Sequence, residues 1–273
     1  MRKAILGEWV LSFRRPGGQF FFMGAAGMGI GLYRKWRRFR HERRKRRRFA
    51  DVEPEFWGLY KKCKPFTMTR TERMYVLYQA MQYVVARGIP GDIVECGVWK
   101  GGSSMLCALV LSQDADDSRS LYLYDTFSGM AEPGEMDVSL HGSSAREEWR
   151  RHQRDDVTDW AYSPLEEVRR NLLSTGFPEK LAVFVPGKVE DTIPGIAPSR
   201  IALLRLDTDF YSSTYHEMTH LFSRLSPGGI LIVDDYGTWK GARQAVDQYA
   251  SENHLTLLLT RVDRGARICV KVD

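Results

Sequence analysis

Two apolar runs in the chain each end abruptly in paired acids. Leu203-Leu204-Arg205-Leu206 leads into Asp207-Thr208-Asp209, and Ile230-Leu231-Ile232-Val233 leads into Asp234-Asp235. Runs of this kind read as buried strands, which puts all four aspartates at strand ends. Carboxylates gathered at neighbouring strand tips repel one another unless a positive charge sits among them. A hard divalent cation such as Mg2+ meets that need, taking a few carboxylate oxygens and filling its remaining positions with water and substrate. No His or Cys is interleaved, which argues against zinc. Asp207, Asp234 and Asp235 are the candidate ligands. A cation held there acts as Lewis acid and template on a hydroxyl. Asp209, two residues beyond Asp207 and on the same side of the strand end, is the candidate base. Asp209 can equally orient the water around the cation. Asp207 and Asp235 can instead cap the following helices and pair with surface cations.

A second constellation precedes the first. Ile93-Val94-Glu95-Cys96-Gly97-Val98-Trp99-Lys100-Gly101-Gly102-Ser103 reads as a strand, a glycine-bearing turn and the start of a helix. Glycines let the backbone approach a ligand closely, and a helix N-terminus favours an anionic group. Glu95, Cys96, Gly97, Val98 and Ser103 are therefore candidate cofactor contacts. The pattern is not the GxGxxG of a dinucleotide cradle. The next strand ends in Leu123-Tyr124-Asp125, and an acid at that place is suited to accept hydrogen bonds from ribose hydroxyls. Asp125 can alternatively cap its own turn. A ligand-free structural turn is the simpler reading of either feature alone; together they favour a nucleoside.

The elements that must carry these residues alternate. Helical spacing covers Thr69–Arg87, followed by a strand at Asp92–Cys96, a helix at Ser103–Leu111 and a strand at Leu121–Tyr124. Residues 128–159 are polar with little periodicity. Then come a helix at Pro164–Ser174, strands at Leu181–Val185 and Ile201–Leu206, a helix at Tyr215–Leu225, a strand at Gly229–Val233 and a helix at Lys240–Glu252. Thr256–Thr260 and Ala266–Val270 read as a closing antiparallel pair. Strand–helix alternation predicts an α/β fold: a Rossmann-like, doubly wound, mostly parallel sheet with that pair at its C-terminal end. In such sheets ligands bind beyond the carboxyl ends of the strands, where the strand order reverses.

Charge divides the chain. Residues 1–50 hold fifteen Lys or Arg against Glu8 and Glu42, while residues 51–273 carry a net charge of −7. This predicts a basic, partly apolar N-terminal arm, residues 1–50, ahead of a catalytic domain, residues 51–273. The uncharged stretch Phe20–Tyr33 is shorter than the ~20 residues of a spanning helix. It is followed by eleven Lys or Arg within Arg34–Arg48. An apolar segment beside a polybasic run suits an anionic membrane surface, at about 1 kcal/mol per basic residue. A solvated, disordered arm is the plainer expectation. Nucleic acid is not an expected partner, because nothing outside the arm supports it. Charge that follows the apolar stretch argues against a signal peptide. Four scattered cysteines without CxxC spacing predict reduced, mostly buried thiols and a cytoplasmic setting, peripheral to the inner membrane face if the arm binds lipid.

Taken together, Asp92–Ser104 (DIVECGVWKGGSS), Leu123–Met130, Gly187–Pro194 (GKVEDTIP), Ala202–Thr214 (ALLRLDTDFYSST) and Ser226–Gln248 resemble the macrocin O-methyltransferase family. The resemblance spans about residues 65–250 and leaves the arm outside. It implies S-adenosylmethionine and Mg2+ as cofactors, and a small-molecule acceptor whose hydroxyl, on a sugar, takes the methyl group. By position it implies that Glu95 and Gly97 face the methionine part, Asp125 the ribose, and Val189 and Glu190 the adenine. It matches Asp207, Asp234 and Asp235 to the metal ligands and Asp209 to the base. Residues 128–159, with His141, Trp149 and Trp160, match a mobile lid over the acceptor, and His141 is the rival candidate for the base. A homo-oligomer is among the assemblies the family allows. Two other classes remain open at this point: a nicotinamide-dependent oxidoreductase of the same fold, and a binding module on membrane or nucleic acid that retains only cofactor binding.

Overall fold

The computed structural model describes residues 10–14, 20–24, 36, 48–113, 118–154 and 157–272. Two compact units divide at Glu53 and Pro54, three residues beyond the boundary expected from charge. The first contains an antiparallel pair, β1 (Val10–Arg14) and β2 (Phe20–Gly24). Most of the polybasic run lies outside the described residues, as does most of Phe20–Tyr33.

The second unit opens with α1 (Pro54–Cys63) and α2 (Thr71–Ala86). There follow β3 (Asp92–Cys96), α3 (Gly102–Gln113), β4 (Leu121–Asp125), α4 (Ala145–His152) and the two-residue strands β5 (Gln153–Arg154) and β6 (Val157–Thr158). Next come α5 (Leu165–Leu173), β7 (Ala182–Pro186), the single turn α6 (Val189–Thr192) and β8 (Ile201–Leu206). The chain finishes with α7 (Tyr211–Leu221), β9 (Leu225–Val233), α8 (Lys240–Glu252), β10 (Thr260–Arg261) and β11 (Arg267–Val270).

Seven of these strands form one sheet in the order β10-β11-β9-β8-β3-β4-β7. From β7 to β9 all neighbours are parallel, and β10 and β11 supply the antiparallel end. The fold expected from strand–helix alternation is the one observed. All six residues of β8 are buried, as suits a central parallel strand covered on both faces. α3 buries every residue from Gly102 to Leu111, in keeping with a sequence apolar on all sides. From β3 the chain winds outward through β4 to β7 and then returns to β8 on the other side of β3. The strand order therefore reverses between β3 and β8, between the glycine turn and the first pair of acids.

Two expectations need correction. The helix expected at Tyr215–Leu225 begins at Tyr211, because Asp137 Oδ1, from a distant loop, accepts the Tyr211 N–H at 2.8 Å and caps the first turn. Of the expected strand Thr256–Thr260, only Thr260 joins the ladder, opposite Ile268, and Arg261 extends it opposite Arg267; Leu255, Leu257 and Leu259 pack on the core instead. Residues 128–159, polar and of little periodicity, nonetheless form regular elements. They contain α4, capped by Ser144, and the β5–β6 ladder.

Candidate active site

The tips of the parallel strands step along one edge of the sheet. Beyond the ladders proper, the Gly97 N–H bonds to Tyr124 O at 2.8 Å, Asp207 N–H to Cys96 O at 2.8 Å, and Asp234 N–H to Leu206 O at 2.9 Å. This registry brings the glycine turn and both pairs of acids to a single cavity of about 340 Å3. Gly97, Asp125, Val189, Glu190, Asp207, Asp209, Asp234 and Asp235 all line it. Glu95, Cys96, Val98 and Ser103 are buried and do not line it.

Asp207, Asp234 and Asp235 each offer an oxygen, and the three lie within 4.8 Å of one another. They are not alone. Arg205, only 3 % exposed, reaches Glu95 Oε1 at 2.5 Å, Asp207 Oδ2 at 2.8 Å and Asp234 Oδ1 at 2.9 Å. Arg73 on α2 pairs with Asp234 Oδ2, and its Nε donates to Asp263 Oδ2 at 3.0 Å. Two guanidiniums thus meet four carboxylates (Glu95, Asp207, Asp234 and Asp263), and Asp209 and Asp235 line the cavity beside them. The deficit must be met by protons or by a cation. Burial pushes Asp207 and Asp235 well up, reinforced by their acidic neighbours, and pushes Asp209 up to about 7. Burial opposes ionisation of Asp234 as well, but Arg205 and Arg73 outweigh it and hold that carboxyl below its usual range.

The donor set fits a hard divalent cation: three carboxylate oxygens, no His or Cys, and a surplus of negative charge. Asp234 Oδ1 is buried and accepts no aligned hydrogen bond, although Arg205 lies near it. Asp209 has φ +68°, in the left-handed region that aspartate tolerates better than most residues. Trp99 and Ala161, also on the cavity wall, have φ values of +47° and +53°. Such conformations cost roughly 1–3 kcal/mol each and gather at functional sites.

The glycine turn is held from inside the protein. Asp125 Oδ2 accepts the Val98 and Trp99 N–H groups at 2.8 and 3.1 Å, and Oδ1 accepts Phe127 N–H at 2.9 Å. Asp125 caps the turn and lines the cavity at once, so the two readings of it from sequence do not exclude each other. Gly97, at φ +82°, is required by the chain itself: a Cβ there would lie 2.2 Å from the Asp207 carbonyl oxygen. At the start of α3, Gly102 allows close packing on the preceding segment, since a Cβ there would meet Phe66 O at 2.6 Å. Ser103 turns its hydroxyl to Met74 Sδ at 3.8 Å, and Cys96 lies in the core. All four cysteines are free and buried.

Arg205, Arg73 and Asp137 went unnoticed at the level of sequence. The signal for Arg205 was there: a charge inside an otherwise apolar strand is seldom buried without partners. Nothing local marks Arg73 or Asp137, whose partners lie far along the chain. Of the lid residues, Trp149 donates its indole N–H to Met130 O at 2.9 Å, a structural role. Trp160 joins Phe210 and Trp239 in a ring cluster with centroids 5.9–6.3 Å apart. His141 is exposed and does not line the cavity, which removes the geometric basis for treating it as the base.

Comparison with known proteins agrees with this arrangement. The profile of the macrocin-O-methyltransferase family matches residues 29–270, reaching into the basic run and farther at both ends than the motifs alone. The 8-demethyl-8-(2,3-dimethoxy-alpha-L-rhamnosyl)-tetracenomycin-C 4'-O-methyltransferase of Streptomyces olivaceus is 35% identical over 213 residues, 78% of each chain. The demethyldecarbamoylnovobiocin O-methyltransferase of Streptomyces niveus is 33% identical over 198 residues, 72% of each. The solved structure of the O-methyltransferase NovP superposes with a TM-score of 0.68 at 30% identity, covering 76% of this chain and 83% of that one. These matches leave no place for a nicotinamide-dependent oxidoreductase or a non-catalytic binding module. With the glycine turn, the strand-tip acids and the sheet order all in register, the chain belongs to the macrocin-O-methyltransferase family and is an S-adenosylmethionine-dependent O-methyltransferase.

Proposed function

We propose that the protein is a metal-dependent enzyme that methylates a hydroxyl on the sugar of a glycosylated small molecule. The observation that carries this reading is the convergence of Asp207, Asp234 and Asp235 beside Asp209 in the cavity that the glycine turn also lines. The Streptomyces olivaceus relative acts, by its name, on a rhamnosyl compound, which supports a sugar acceptor.

In this reading, bound S-adenosylmethionine supplies an electrophilic methyl group and a divalent cation, Mg2+, supplies Lewis acidity at the acceptor oxygen. Gly97 and Asp125 line the side of the cofactor's methionine and ribose, and Val189 and Glu190 the adenine side. Glu95, Cys96, Val98 and Ser103 are the buried residues of the turn and its flanks. Asp207, Asp234 and Asp235 hold the cation. Asp209 takes the acceptor proton: its carboxyl, pushed up to about 7 by burial, is suited to a base near neutral pH. The Trp160, Phe210 and Trp239 rings, next to Ala161, Asp209 and Thr238 of the wall, offer an apolar rim to the acceptor.

Calorimetric titration with S-adenosylmethionine, with and without Mg2+, followed by mass spectrometry of products from a panel of glycosides, tests the reading. Cofactor binding without metal and turnover only with metal is the expected result. Full turnover in chelator would refute the metal role.

Among the described residues no helix is long and apolar enough to cross a membrane. The basic arm is proposed to bind anionic lipid and keep the enzyme at the cytoplasmic face. Its charge asymmetry supports this, and so do the free, buried thiols, which suit a reducing compartment.

A further inference from the structure

We infer that Arg205 is the positioning residue of the acid centre: its guanidinium sets Asp207 and Asp234, the tips of adjacent strands, at the separation a divalent cation requires, and Glu95 acts through it. This rests on the metal reading above. Arg205 sits one residue from the end of β8, directly across from Glu95 on β3 and Ile232 on β9. Its planar fork meets carboxylates from three successive strands, at 2.5, 2.8 and 2.9 Å, and Thr69 Oγ1 at 3.2 Å. The directed hydrogen bonds to Glu95 and Thr69 fix the guanidinium, and its ion pairs then set the spacing of Asp207 and Asp234.

Both oxygens of Glu95 are engaged within the protein. Arg205 takes Oε1, the Ser104 hydroxyl donates to Oε2, and the residue is 5 % exposed and off the cavity wall. It is built as the anchor of Arg205. Arg73 holds the far oxygen of Asp234 and is itself tied to Asp263, so that carboxylate is gripped from both ends. Buried ionic groups of this kind seldom add net stability over apolar residues of the same volume. What an apolar replacement could not do is hold two like-charged ligands together before the cation arrives.

The test uses Mn2+ alone as probe, titrated calorimetrically into the full chain and into Arg205→Lys and Glu95→Gln, with S-adenosylmethionine affinity measured separately in chelator. Lysine keeps the charge and loses the fork; glutamine keeps the shape and loses the anchor's charge. Both variants should lose about 10–100-fold in Mn2+ affinity, with cofactor affinity unchanged and turnover recovered at high Mn2+. Wild-type Mn2+ affinity in a folded Arg205→Lys protein would overturn the inference. So would a Glu95→Gln protein that binds the cofactor weakly and Mn2+ normally, because Glu95 would then be a cofactor contact. Should Arg205→Lys not fold, Glu95→Gln decides. Absence of Mn2+ binding by the unaltered chain would overturn the metal reading itself, a different failure that the same titration identifies.

Discussion

Asp209 and its neighbours show how one cluster assigns different protonation states to chemically identical side chains. Asp234 lies between two guanidiniums that hold its carboxyl low, while Asp207, Asp209 and Asp235 are driven towards the neutral form by burial first, with the neighbouring carboxylates, Asp234 included, adding to it. A base needs a proton affinity near the working pH, and Asp209 has it; Asp209→Asn should lower kcat by about 10²–10⁴-fold while cofactor and Mn2+ binding persist. Single-turnover rates beside calorimetric affinities will check this, and an unaffected rate would move the base elsewhere. The raised carboxyls also make stability depend on pH. They keep protons in the folded state that the unfolded chain releases near pH 4, so metal-free stability should fall as pH rises towards about 7. A bound cation takes the place of those protons, and Mg2+ should flatten the decline. Scanning calorimetry at pH 5 and 7.5, in chelator and in Mg2+, measures it; parallel slopes would mean that these acids do not meet the cation.

Elements matter here for what they carry to each other. Residues 128–159 meet the catalytic edge through backbone bonds of Val138 and Leu140 to Lys240 and Thr238, and through Asp137, 1 % exposed, which accepts Gly134 N–H at 2.7 Å and the first N–H of α7 at 2.8 Å. Gly241 at the start of α8 leaves room for it, since a Cβ there would fall 2.0 Å from Asp137 Oδ1. Asp137→Ala removes the acceptor of two part-buried N–H bonds and should cost about 1–3 kcal/mol. Because α7 begins just after Asp209, the loss should also raise KM for the acceptor and expose residues 128–159 to proteolysis, with cofactor affinity intact. Proteolysis in parallel with steady-state kinetics distinguishes a loosened lid from a general loss of stability. Gly97→Ala acts on a different joint. Its Cβ would displace the Asp207 backbone, so cofactor binding and metal binding should fail together.

At the scale of the whole molecule the chain pairs a mildly acidic catalytic unit with a strongly basic arm. Deleting residues 1–50 should abolish flotation with anionic liposomes. Turnover on a soluble acceptor should survive, and high salt should mimic the deletion on the intact chain. Flotation that persists without the arm would locate lipid contact in the catalytic unit. The legible parts of the protein were those with short-range causes. Alternating apolar runs announced the parallel sheet, because burial on both faces demands continuous hydrophobic strands. The glycine turn and Asp207, Asp209, Asp234 and Asp235 stood out because polar groups at strand ends break that pattern abruptly. What sequence alone could not yield were pairings between distant segments. Arg73 meets Asp234 and Asp263, Arg205 meets Glu95, and Asp137 caps a helix far along the chain; each depends on strand registry and helix docking that exist only once the sheet has closed. The sequence by itself determined the fold class and the membership of the acid cluster, since hydrophobic periodicity is a local property. The tertiary structure alone decided which acids keep their charge and what holds them apart, because electrostatic balance in a buried site is summed over neighbours in space.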